Sequence, residues 1–123
     1  TVTIPRIWSR LAPNRLQLAR YFLYDNNHTA EFSISQLDTP KINLLANVNR
    51  WRNQLQLSPV SAYHAKKIVT TLGDARSVII QDESKHAIKV IILPYNNRHY
   101  FFKFNGDTDL VASTSLPRLS AHD

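Results

Sequence analysis

The sequence predicts an α+β domain: a mainly antiparallel sheet of five or six strands with one long helix packed on a face. Three observations carry this. Ala30, Phe32 and Ile34 alternate with Glu31, Ser33 and Ser35, the period of a strand with one dry face. Leu44, Leu45, Val48, Trp51 and Leu55 recur at spacings of three and four, which makes one apolar helix face. From Arg76 onward, β-forming runs are separated by short polar turns. A chain of 123 residues with 43% apolar and 20% charged residues is one folded domain, 1–123, large enough to bury a core.

Residues 1–15 carry two prolines and scattered apolar residues, so they are expected as an extended lead-in, with Ile4, Ile7 and Trp8 over a sheet edge. Residues 16–24 read as a strand, Asp25 to His28 as a turn, and the alternating segment from Thr29 as its hairpin partner. Thr39-Pro40 offers a capping hydroxyl followed by a proline, which places the helix over about 41–56. Ser58-Pro59 ends it; Ser61 to Lys67 is expected as one short turn and Ile68 to Leu72 as extended chain. Gly73-Asp74 is the next expected turn. Strands at 76–81, 86–93 and 98–104 follow, joined by Asp82 to Lys85 and by the tight Pro94-Tyr95-Asn96-Asn97 connection. Asp107 is expected to cap a brief helix through Leu110 and Val111, and 112–123 reads as a loose tail stopped by Pro117.

Fifteen Lys and Arg against nine Asp and Glu give +6, a balance that favours acidic partners such as an acidic protein face, anionic lipid headgroups or a nucleic acid. The excess is spread out, and its densest cluster is Arg50, Arg52 and the Lys66-Lys67 pair. Without cysteine there is no disulfide, thiolate metal site or cysteine nucleophile. The longest apolar run, Val90 to Leu93, is far shorter than the roughly 20 residues of a membrane-spanning helix. A start at Thr1 without methionine is expected to be a processed or a trimmed N-terminus rather than a native start, with removal of an export signal the favoured origin.

Three stretches resemble a known group of proteins: NVNRWRNQLQL at 47–57, IILP at 91–94 and YFFKFNG at 100–106, followed by Asp107, Asp109 and Leu110-Val111. In that order they are similar to uncharacterised exported bacterial proteins with an Asn-Val-Asn-Arg-Trp-Arg helix and a late Phe-Phe-Lys-x-x-Gly strand. The likeness spans roughly residues 16–111. That group is similar in fold to PsbP, the extrinsic lumenal subunit of photosystem II, an α-β-α sandwich around an antiparallel sheet. The resemblance implies an accessory subunit outside the cytoplasm, periplasmic or membrane-peripheral, and carries over no catalytic residue. The family usually closes with a longer helix bearing an apolar stripe; here Pro117 and a polar tail replace it.

The motif residues also admit a plain structural use. Asn47 and Asn49 are mediocre helix formers with amide groups suited to pinning a neighbouring loop, and Trp51 shares the apolar face. The functional reading is that Arg50 and Arg52 flank a partly exposed Trp51 as an anchor for an acidic partner, with Asn47, Asn49 and Lys103 alongside. On the last strand Tyr100, Phe102 and Phe104 share one face and His99, Phe101 and Lys103 the other. A base-stacking sheet would present such aromatics, but its signature needs a glycine inside the strand, so packing under the long helix is the expected use and nucleic acid the lesser alternative. Histidines at 28, 64, 86, 99 and 122 show no ligand spacing; His86 and His99, facing across a hairpin, are the one pair to inspect for metal. No nucleophile elbow is present, and two glycines exclude a glycine-rich phosphate loop. The expectation is therefore a non-catalytic protein with no cofactor, metal or small-molecule substrate, docking on a larger complex at a membrane surface, with a cytoplasmic nucleic-acid module as the alternative.

Overall fold

A computed structural model of the protein describes the backbone of residues 7–11 and residues 17–113 in full. The elements are β1 (Ile7–Leu11), β2 (Gln17–Asp25), β3 (His28–Leu37), α1 (Leu44–Gln54), β4 (Lys66–Thr70), β5 (Gly73–Gln81), β6 (His86–Tyr95), β7 (Arg98–Asp107) and α2 (Thr108–Ser113). The strands form one open sheet in the order β1-β2-β3-β7-β6-β5-β4, and every neighbouring pair is antiparallel. Two meanders, β1–β3 and β4–β7, are joined where β3 pairs with β7, and α1 is the crossover between them. Five or six strands were expected; β2 to β7 supply six, and β1 adds a seventh from within the segment read as an extended lead-in.

With only two glycines in the chain, asparagine carries the hairpins. Asn26 and Asn27 take φ of 50° and 65°, and Asn96 and Asn97 take 53° and 60°, so both two-residue loops are turns with two left-handed positions. Asp82 organises the 82–85 turn, its carboxylate accepting from the N–H groups of Ser84 at 2.8 Å and His86 at 3.0 Å. The β4–β5 turn falls at Thr71 and Leu72 rather than at Gly73-Asp74, because Gly73 (φ 122°) already pairs with Thr70. Lys66 and Lys67 belong to β4, not to a preceding turn.

The helix is shorter than the expected 41–56. Thr39 makes a local turn, its hydroxyl donating to the Lys41 carbonyl at 3.0 Å, and the cap is Asn43, whose side chain accepts the Ala46 N–H at 3.0 Å. At the other end the N–H groups of Gln56 and Leu57 bond to the carbonyls of Asn53 and Arg52, a Schellman closure with Gln56 in the left-handed position at φ 59°.

Both faces of the sheet are dry at the centre. On one, Val48 and Trp51 of α1 and Leu55 at its C-cap pack on Val78, Ile80, Ile88, Val90, Ile92 and Phe101. On the other, Leu110 and Val111 of α2 join Leu23, Phe32, Ile91, Phe102 and Phe104. Tyr100, Phe102 and Phe104 were expected beneath the long helix; they face away from it, and Phe101 packs under α1 instead. Asp107 was expected to cap α2; its carboxylate accepts the Thr29 N–H of β3 at 2.8 Å. Ala112 and Ser113, expected to begin the loose tail, belong to α2 instead; Ile4 and residues 114–123 lie outside the described residues.

Candidate functional site

Most of the residues singled out on α1 hold the domain together. Asn49 is clasped to the backbone of Val60: its amide donates to the Val60 carbonyl at 3.0 Å and its oxygen accepts the Val60 N–H at 2.8 Å. Arg52 donates through Nε to the Ser58 carbonyl at 2.7 Å. Together they fold the 55–60 loop back along the helix. Asn47 donates to the Asn43 carbonyl at 2.8 Å and accepts from Arg50 at 2.9 Å. Trp51 is not the partly exposed indole of the docking reading: it is 2% exposed and meets Phe101 edge-on, with ring centroids 6.1 Å apart. The helix needs an apolar anchor at its centre, and Trp51 is that anchor. Losing both Asn49 bonds leaves the half-buried Val60 groups unmatched, so Asn49→Ala is expected to cost about 1–3 kcal/mol in chemical denaturation.

What remains accessible is a polar cluster beside α1. Register places Arg20, Ser33 and Lys103 side by side across β2, β3 and β7, on the face that carries the helix. Lys103 donates to the Gln54 side chain near the end of α1. Arg20 is paired with Glu31 at 3.1 Å. Arg50 is exposed, with its guanidinium carbon 5.8 Å from the Trp51 ring centroid. Burial, then the charge of Arg50, push Lys103 down to about 8, while Glu31 pulls the other way. Lys103 and Arg50 were marked from sequence; Arg20, Glu31 and Gln54 were not, because their meeting depends on strand register and on where α1 crosses β7.

The depressed Lys103 fixes a pH dependence. Its ordinary value of 10.5 applies to the unfolded chain, so between about pH 8 and 10.5 the unfolded state holds the extra proton and stability rises with pH. The difference between wild type and Lys103→Met in urea midpoint is expected to be largest at pH 7, with the variant the more stable, and to shrink toward pH 10.5. Taking the difference removes the contribution of Lys89, which burial also lowers.

A second feature lies at the end of the same face that bears the 71–72 and 96–97 turns. A cleft of about 780 Å³ opens between residues 40–42, which lead into α1, and the β4–β5 hairpin. Lys41, Lys67, Arg76, Asp74 and His99 line it over an apolar floor that includes Ile42 and Ile92. His99 is 8% exposed, and its Nδ1 lies 3.0 Å from the Thr39 carbonyl. A carbonyl only accepts, so that nitrogen carries the proton and the ring orientation is set.

His86 and His99 do not face each other. His86 pairs with Asp107 and His99 with Pro94, at opposite ends of the β6–β7 hairpin, because the tight 96–97 turn sets a register that separates them. His86 Nε2 lies 2.9 Å from the Asn105 side-chain oxygen. Among the described residues no group of three His, Cys, Asp or Glu is placed to hold a metal ion. Phe101, Phe102 and Phe104 are 8%, 4% and 0% exposed, so these three rings belong to the core, while Tyr100 is half-buried beside the exposed Tyr95. No helix among the described residues is long and apolar enough to cross a membrane. Comparison of the chain with protein-family models, with curated proteins and with solved structures gives no match.

Proposed function

We propose that the protein is a non-catalytic accessory domain that docks, by its helix-bearing face, on an acidic protein surface within a larger membrane-associated assembly outside the cytoplasm. The carrying observation is the cluster in which Lys103 is coupled to Arg50 and to Glu31, with Arg20 paired to the same Glu31 carboxylate. Lys103 is lowered chiefly by burial, and the charge of Arg50 adds to it, so the site gathers cations that one carboxylate, Glu31, only partly offsets. A carboxylate from a partner relieves that repulsion, raises the Lys103 pKa and gains electrostatic complementarity, which sets register and encounter rate. The motif resemblance to exported, PsbP-like proteins supplies the setting, with respiratory or photosynthetic complexes as the kind of host; the α+β sheet with helices on both faces is compatible with that architecture.

Arg50 is the side chain to test, since Arg52 and Asn49 are committed to the 55–60 loop. Washing membranes of the native host with rising salt, while the Debye length falls from about 10 Å to 3 Å, is expected to release the wild-type protein progressively. Arg50→Glu is expected to release at markedly lower salt with unchanged circular dichroism. Retention through high salt, with no effect of Arg50→Glu, contradicts the reading. Vesicles of anionic lipid that reproduce the same Arg50-dependent retention place the acidic surface on lipid and contradict the choice of a protein partner.

A further inference from the structure

The cleft at the 71–72 end is separate from the Arg50–Lys103 cluster and carries a charge arrangement that the fold alone does not call for. Lys67 of β4 and Arg76 of β5 are direct cross-strand partners on the same face. Like charges placed directly opposite each other in an antiparallel pair destabilise the sheet. Lys41 adds a third cation on the other side of the same opening, and Asp74 is the one carboxylate of the lining. Beneath them the floor is apolar: Ile92 is 1% exposed and Ile42 is half-buried. The buried His99 ring closes part of the lining, held by the Thr39 carbonyl. A cationic rim over an apolar floor, in a volume within the usual range for ligand pockets, matches one chemistry: an anionic head on an apolar body.

We propose that this cleft binds a small amphipathic organic carboxylate. The carboxylate lies between Lys67 and Arg76, where the planar guanidinium offers paired donors and the ammonium a point charge. The apolar body lies on Ile42 and Ile92. The anion offsets the Lys67–Arg76 repulsion, so ligand affinity and the cost of the like-charge pair are two sides of one arrangement.

The experiment is an amide NMR titration of the full chain with 2-naphthoate, with its neutral analogue 2-naphthalenemethanol and with inorganic phosphate. Expected are saturable shifts at Val69, Arg76, Ile92 and His99 with 2-naphthoate, binding at least about tenfold weaker for the alcohol and for phosphate, and a comparable loss in Lys67→Ala and in Arg76→Ala. Without ligand, Lys67→Ala is expected to raise the urea midpoint slightly, because one of the two facing charges is gone. Arg50→Glu is expected to leave 2-naphthoate binding unchanged, which keeps this result separate from the docking proposal. Equal binding of the alcohol, phosphate binding as well as 2-naphthoate, shifts at other residues, no saturation in the millimolar range, or tighter binding at these residues by an Asp/Glu-rich peptide each overturns the assignment.

Discussion

Gly106→Val is expected to abolish cooperative folding or to lower stability by at least about 3 kcal/mol. Gly106 of β7 sits opposite Ala30 of β3 and beside Ala87 of β6, a row of small residues across the three central strands near one end of the sheet. A Cβ on Gly106 would come within 2.6 Å of the Ala30 Cβ and closer still to the Ala30 Cα and the Thr29 carbonyl oxygen. Two of these obstacles are backbone, so no rotamer change relieves them, and the strand pair must separate. That pair is where the two meanders meet. The Thr29 N–H to Asp107 bond lies next to the same clash and is expected to be lost with it. Equilibrium urea unfolding gives the test, with Gly106→Ala expected to fall between wild type and valine. A valine variant with an unchanged midpoint contradicts the close approach of β3 and β7.

Trp51→Ala is expected to cost about 3–5 kcal/mol, the range for truncating a large buried aromatic. The indole fills the space between α1 and the sheet, against Phe101 and within the cluster of Val48, Val78, Ile88 and Val90. Its neighbour in sequence gives the contrast: Arg50 is exposed, and Arg50→Glu is expected to shift stability by no more than about 0.5 kcal/mol. Adjacent residues of one motif thus separate into a fold anchor and a surface charge. Thermal or urea unfolding of the two single variants checks this, and equal costs for both would contradict the division.

How much of this the sequence discloses depends on whether the deciding contact is local. The 26–27 and 96–97 hairpins are legible, because an Asn-Asn step between β-forming runs is turn chemistry wherever it occurs. The apolar stripe Val48, Trp51 and Leu55 is legible for the same reason. The helix start is misplaced because Thr39-Pro40 and Asn43 carry the same capping chemistry, and only the extended backbone at Asn43 decides between them. On β7, both residue parities bear aromatics, so period-2 reading assigns two faces without saying which one α1 covers. The β3–β7 pairing and the seventh strand are long-range facts with no local signal beyond scattered apolar residues at 7–11.

The sites divide in the same way. Arg50 and Lys103 stand out as residue types in a motif, yet their coupling needs the crossing of α1 over β7, which no spacing encodes. The Lys67–Arg76 pair is hidden by the turn: with Gly73-Asp74 as the loop, Lys67 would sit opposite Ile80, whereas the two-residue loop at 71–72 sets it against Arg76. A two-residue shift in one turn therefore decides whether the cleft wall carries one charge or two. The docking reading of Trp51 failed because an aromatic beside two arginines looks like a hot spot, while burial depends on the sheet beneath it.

In the proposed docking, an acidic protein surface is held by the helix-bearing face through Arg50 and Lys103. The most direct test of this docking is mild-detergent extraction of the native host's membranes, followed by native gel separation of the endogenous protein and of Arg50→Glu and Lys103→Gln variants expressed in its place, with mass spectrometry of what comigrates. The wild-type protein is expected to migrate with a large assembly containing a subunit with an acidic exposed face, and both variants to shift to the free species while remaining folded. Migration of the wild-type protein as a free monomer, or comigration untouched by either substitution, contradicts this reading.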